Sequence, residues 1–98
     1  EERFAIAFAG GKFRIKHWGR QKIVKKLKEK RVSEYCIKKA LEEIDDKEYI
    51  ITLHRLIEKK HGSLKEKNPF TKKKKTAAYV YGKGYESDLI WGHLNDCY

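Results

Sequence analysis

Leu27-Lys-Glu-Lys-Arg-Val-Ser-Glu-Tyr-Cys-Ile-Lys-Lys-Ala-Leu41 and Val80-Tyr-Gly-Lys-Gly-Tyr-Glu-Ser-Asp-Leu-Ile-Trp-Gly-His-Leu94 align without a gap, residue 27 falling on residue 80 at an offset of 53. Apolar positions coincide at 27/80, 32/85, 36/89, 37/90 and 41/94, and the run between the first two ends in basic residues or glycine in both copies. A repeated supersecondary unit has a hydrophobic face too small to be stable alone, so it is buried by stacking on a neighbour, which produces an elongated surface. The duplication therefore points to a scaffold or binding module rather than an enzyme.

Working outward, residues 2–15 place Phe4, Ala5, Phe8, Phe13 and Ile15 on one helical face, although Gly10-Gly11 costs about 1 kcal/mol per glycine relative to alanine. Lys16-His17-Trp18-Gly19 breaks that pattern. Ile23, Val24 and Leu27 then predict a second helix over 19–31, with lysines on its outer side. Ser33 is a good N-cap for a third helix over 34–44, carrying Cys36, Ile37, Ala40, Leu41 and Ile44 inward. Asp45-Asp46 suits the positive end of a fourth helix, whose stripe is Tyr49, Ile50, Leu53, Leu56 and Ile57 and which weakens near His61-Gly62.

Asn68-Pro69 starts a fifth helix, since proline at the first helical position lacks an N–H that would be unpaired anyway. Its expected buried side is Phe70, Ala77, Ala78 and Tyr81, and Gly82 and Gly84 end it, Gly84 in the left-handed conformation. Arg31 holds the equivalent place in the first copy and is expected to adopt that conformation at some cost. A sixth helix over 87–96 turns Leu89, Ile90 and Leu94 inward. No segment alternates with period two, so the chain is all-α: two tandem three-helix repeats, residues 1–45 and 46–98, packed into an elongated helical array.

Ninety-eight residues bury only about 60–65% of their unfolded surface and leave no room for a large pocket. With 40% hydrophobic and 39% charged residues the chain suits a thin core and excludes a membrane span. The 24 Lys and Arg against 14 Asp and Glu give a net charge of +10, which steers toward a polyanion or an acidic protein surface. Residues 12–31 hold ten of those cations against Glu29 alone, whereas 32–50 hold three against six acids. Cys36 and Cys97 fall at non-equivalent repeat positions with no CxxC spacing, so a reduced, intracellular, cytoplasmic protein is expected. The absence of methionine leads us to expect a piece of a longer chain.

Glu2-Arg-Phe-Ala5, Lys16-His-Trp-Gly-Arg20, Leu27-Lys-Glu-Lys30, Ile37-Lys-Lys-Ala-Leu-Glu-Glu-Ile44 and Tyr79-Val-Tyr-Gly-Lys-Gly-Tyr85 resemble the RecX regulatory proteins. That resemblance covers nearly the whole chain and matches the second and third repeats of the family's tandem three-helix units. Gly10-Gly11 and Arg31, where glycine is usual, depart from it. It implies a partner that is a helical nucleoprotein filament of the RecA recombinase, bound along its groove and inhibited in DNA recombination and repair.

The candidate partner-binding residues are Arg14, Lys16, Arg20, Lys22, Lys25 and Lys26 in the first repeat and Lys72, Lys73, Lys74 and Lys75 in the second. They are weighed against the plain reading that helices need polar outer faces. Trp18 either anchors an interface or packs between the first two helices and sets their crossing. Trp91 either covers the end of the core or touches a partner.

Direct binding to single- or double-stranded DNA through the basic faces is the alternative to filament binding. A lysine-rich second helix suits point-charge contact with phosphates better than the reading of base edges. Catalysis is not expected. His54 and His61 lie seven apart with no carboxylate or cysteine at ligand spacing, and Gly82-Lys-Gly84 lacks the length and Lys-Ser/Thr of a phosphate-binding loop. No cofactor, metal or small-molecule substrate is expected.

Overall fold

Local capping decides where several of the six helices begin. In the computed structural model, which describes residues 1–98, the helices are α1 (Glu2–Lys16), α2 (Arg20–Glu29), α3 (Glu34–Glu42), α4 (Asp46–Ser63), α5 (Pro69–Gly82) and α6 (Ser87–Cys97). The Ser33 hydroxyl accepts from the Cys36 N–H at 3.2 Å, the Asp45 carboxylate from Glu48 at 3.0 Å and the Asn68 amide oxygen from Thr71 at 3.0 Å. Each bond satisfies a donor that the helix leaves orphaned, and each is worth about 1 kcal/mol.

Residues 27–41 and 80–94 follow the same path position for position. Each runs through the end of a helix, a two-residue turn, two non-helical residues and the start of the next helix. Gly84 (φ 105°) and Arg31 (φ 62°) hold the left-handed site, as the alignment predicts. The first helices are also equivalent, with Ala5, Ala9 and Phe13 buried in α1 and Tyr49, Leu53 and Ile57 buried in α4 at the same i, i+4, i+8 spacing. Their offset is 44 rather than 53, so the second repeat holds nine extra residues, taken up by the longer connection at 64–68 and by longer helices.

Three details differ from the sequence reading. Helices α2 and α3 stop earlier than expected, because Lys30-Arg31 and the residues after Glu42 leave the helix to make their turns, while α4 runs through His61-Gly62 to Ser63. In α1 the buried stripe is Ala5, Ala9, Gly10 and Phe13, and the first three are small enough to let the helix pack closely on α3; Phe4 is 48% and Ile15 75% exposed. In α5 the inward residues are Thr76, Ala77 and Val80, and Phe70, Ala78 and Tyr81 face solvent. Thr76 hides its hydroxyl by donating to the Lys72 carbonyl at 2.9 Å.

One cluster of 18 buried residues threads both repeats. Its bridge is aromatic: the Phe13 and Tyr49 rings stack at 5.8 Å, and Tyr49 meets Tyr85 at 5.0 Å. The result is a bar of 48 × 24 × 21 Å with a radius of gyration of 14.6 Å. A compact domain of this length has a radius of about 13 Å. No helix is long and apolar enough to cross a membrane. Both cysteines are free, Cys36 buried and Cys97 exposed.

Candidate interaction surface

The Trp18-Gly19-Arg20 turn is where the two repeats lock. His17 ends α1 in the left-handed conformation (φ 59°), which throws the next residues across to the α5–α6 turn. There the Gly19 N–H donates to the Lys83 carbonyl at 2.8 Å, the Gln21 N–H to the Gly84 carbonyl at 2.9 Å, and the Arg20 N–H to the Tyr49 hydroxyl at 2.9 Å. Gly19 has no side chain to cap α2, so the second repeat supplies acceptors for its orphaned N-terminal donors. A Cβ on Gly19 would sit 2.4 Å from the Gly84 carbonyl group, and one on Gly84 would sit 2.5 Å from the Lys22 Cβ. The two glycines allow the turns to touch.

Arg20 completes this clasp. Its guanidinium lies 3.8 Å from the Tyr49 ring centre and pairs with Glu86 at 3.1 Å and Asp46 at 2.9 Å. The Tyr49 hydroxyl, already accepting from Arg20, donates to the other Glu86 oxygen at 2.6 Å. The Tyr85 hydroxyl donates to the His17 carbonyl at 3.0 Å, and the Lys83 ammonium to the Lys16 carbonyl at 3.2 Å. Burial holds the Tyr49 phenol far above its ordinary range, reinforced by the Glu86 carboxylate and opposed by the Arg20 N–H. Burial followed by Glu86 does the same to Tyr85. Of the candidate cations, Arg20 is thus the one turned inward to hold the molecule together.

Trp18 is half-buried and packs edge-on against Phe8 at 6.4 Å, between α1 and α2. Lys12 and Lys22 approach its ring at 5.0 and 4.6 Å. Lys22, Lys25 and Lys26 line one groove with Tyr81, so residues of both repeats meet there. Lys26 also pairs with Glu29 at 3.4 Å. Arg14 and Lys16 are exposed.

Lys72 to Lys75 form a separate group at the start of α5. Lys75 pairs with Glu66 at 2.7 Å, holding that carboxyl below its usual range, and Lys74 lies 5.5 Å from the Phe70 ring. The structure does not bring this group into the Lys22–Lys26 groove.

Several surface residues were not legible in the sequence. A second basic groove joins His17, Lys59, Lys60 and Lys83 around Tyr79, with Lys60 4.6 Å from that ring. It brings α4 and α5 together across residues far apart in the chain. Lys30 and Lys12 flank Phe8 at 5.6 and 5.5 Å; here the i, i+4, i+8 spacing of Phe4, Phe8 and Lys12 was a signal available in the sequence. His54 and His61 do not face one another. His54 stacks on His93 at 3.8 Å, and burial and then His93 lower its pKa; His61 stacks on Tyr98 at 3.8 Å and is lowered by burial, Lys72 and Lys73. Trp91 is half-buried and lines a shallow apolar groove with Ala77, Ala78 and Tyr81.

The bar thus displays basic grooves beside exposed aromatics, a surface of positive potential. The RecX profile for the second three-helix domain matches residues 1–41, and the profile for the third three-helix domain matches residues 47–94. The chain is similar to Regulatory protein RecX of Pelodictyon phaeoclathratiforme, at 33% identity over 94 residues, covering 96% of this chain and 57% of that relative. It thus spans little more than half the length of the curated relative it matches. No solved structure is a significant match. With both profiles falling on its two helical units, the chain belongs to the RecX family.

Proposed function

We propose that this chain, with residues 1–45 and 46–98 as its two units, is a non-catalytic regulator that binds the RecA recombinase filament and lowers its ATPase and strand-exchange activity in DNA recombination and repair. The observation that carries this reading is the clasp. Backbone hydrogen bonds of the Trp18-Gly19-Arg20 turn join two helical repeats into one bar of 48 Å, an elongated surface of the kind that suits an extended partner. Membership of a family whose curated relative is named a regulatory protein supports it. So does the net charge of +10, displayed in grooves too shallow and too lysine-rich to position a reacting substrate.

Binding then consists of surface charge contacts from Arg14, Lys16, Lys22, Lys25 and Lys26 and from Lys72 to Lys75, which weaken as salt rises. The site of action is the cytoplasm, where the filament assembles.

The test is RecA assembled on single-stranded DNA with ATP, titrated with the chain. ATP hydrolysis and strand exchange are expected to fall, and the fall to shrink when Lys72 to Lys75 are reversed to glutamate. No change in either activity at several-fold excess over RecA would overturn the proposal.

A further inference from the structure

Three lysines without acidic partners gather over one aromatic cluster. Phe4, Phe8 and Trp18 form a row with ring-to-ring steps of 5.8 and 6.4 Å, Phe4 being 48% exposed. The ammonium groups of Lys12, Lys22 and Lys30 stand 4.6–5.6 Å from the Phe8 and Trp18 rings, and none has a carboxylate within 4.0 Å. Like charges held together without a counter-ion raise the local positive potential, which the aromatic faces offset only in part. Lys22 carries the row onward. It also lines the groove in which Lys25 and Lys26 meet Tyr81 of the second repeat, and Tyr81 is 55% exposed.

The surface therefore alternates rings with flexible cations along a path from α1, across α2, to the end of α5. We infer that this path binds single-stranded nucleic acid, with bases resting on Phe4, Trp18 and Tyr81 and phosphates taken by Lys12, Lys22, Lys25, Lys26 and Lys30. The pattern is what such binding requires. Unpaired bases offer a π-face to each ring regardless of sequence, and a positive groove tracks the backbone. Duplex DNA hides its base faces, and acidic side chains offer the rings no π-face to stack on. The lysines are point charges on flexible stems, so they swing from ring to phosphate without breaking any ion pair except Lys26–Glu29. This goes beyond filament binding and does not depend on it.

The experiment uses a fluorescein-labelled oligo-dT, the same length of duplex and polyglutamate, with no recombinase present. Fluorescence anisotropy is expected to show oligo-dT bound more tightly than duplex. The Phe4→Ala/Tyr81→Ala variant, which alters two exposed side chains, should weaken oligo-dT binding by about tenfold or more. The Lys38→Gln/Lys47→Gln variant, off the path and equal in charge loss to Lys12→Gln/Lys30→Gln, should weaken it far less than that pair does. With Trp91→Phe leaving Trp18 as the only indole, oligo-dT should quench Trp18 emission. Duplex preference, polyglutamate binding as tight as oligo-dT without quenching, or indifference to the Phe4 and Tyr81 substitutions would overturn the inference.

Discussion

At the scale of the residue, Tyr49 holds the junction. Its hydroxyl accepts from one repeat and donates to Glu86, whose carboxylate is largely covered by the clasp. Tyr49→Phe keeps the ring stack but strips both bonds, so it is expected to cost about 1–3 kcal/mol, the range for leaving buried polar groups unmatched. In a chain of this length that lowers the melting temperature by roughly 4–8 °C per kcal/mol. Asp46→Ala removes only the outer arm of the Arg20 pair, whose carboxylate side chain is 90% exposed. Such pairs are worth about 0–1 kcal/mol, so that variant should melt within a few degrees of the parent. Equal losses from the two substitutions, measured by circular dichroism, would show that the hydroxyl has no special role.

Elements follow from short-range chemistry, and that is why their existence was legible in the sequence. Ser33, Asp45 and Asn68 cap the helices they precede, and the 27–41/80–94 alignment placed Arg31 and Gly84 at one conformational site. Which face of α1 and α5 turns inward was less legible. Phe4, Phe70 and Tyr81 are apolar enough to be assigned to a core, yet they lie outside the buried stripes, which are made mostly of small residues (Ala5, Ala9 and Gly10 in α1, Thr76 and Ala77 in α5) with Phe13 and Val80 as the larger members.

Arg31 adopts a left-handed conformation that costs a non-glycine residue about 1–3 kcal/mol. Part of that is returned by the lower chain entropy of arginine in the unfolded state. Arg31→Gly is accordingly expected to raise stability by about 0.5–1 kcal/mol, read as a higher thermal midpoint. A lower midpoint would mean that the arginine side chain contributes something the turn geometry does not.

His54 and His61 give the α4–α6 end a dependence on acid. Their pKa values lie below 6.5 in the folded chain, so the unfolded chain takes up protons first as the pH drops. Stability is full above about pH 6.5 and is lost as pH falls through the lowered values; the Glu66 contribution disappears in a separate window below 4.5. Urea midpoints should fall between pH 7 and pH 5, and His54→Gln/His61→Gln should flatten that fall. An unchanged slope in the variant would place the acid sensitivity elsewhere.

For the whole molecule, the Trp18-Gly19-Arg20 turn matters more than any single helix. Its purpose was not legible, because Arg20 and Glu86 are 66 residues apart and nothing local pairs them. From sequence, Arg20 read as one more surface cation. The same holds for the basic grooves: charge counting finds the lysines, whereas the packing of α2 on the α5–α6 turn decides which of them converge.

The central claim is that the clasp makes one rigid body from two repeats, and the chain carries a reporter in each: Trp18 in the first and Trp91 in the second. Equilibrium urea unfolding of the Trp91→Phe and Trp18→Phe variants, each followed by its remaining tryptophan and by circular dichroism, tests the claim most directly. Within each variant the tryptophan and circular-dichroism transitions should coincide, and they should separate when Gly19→Ala is added to drive a methyl into the Gly84 backbone. Transitions that are already separate with Gly19 in place would contradict the account, since two independently melting repeats are not one bar.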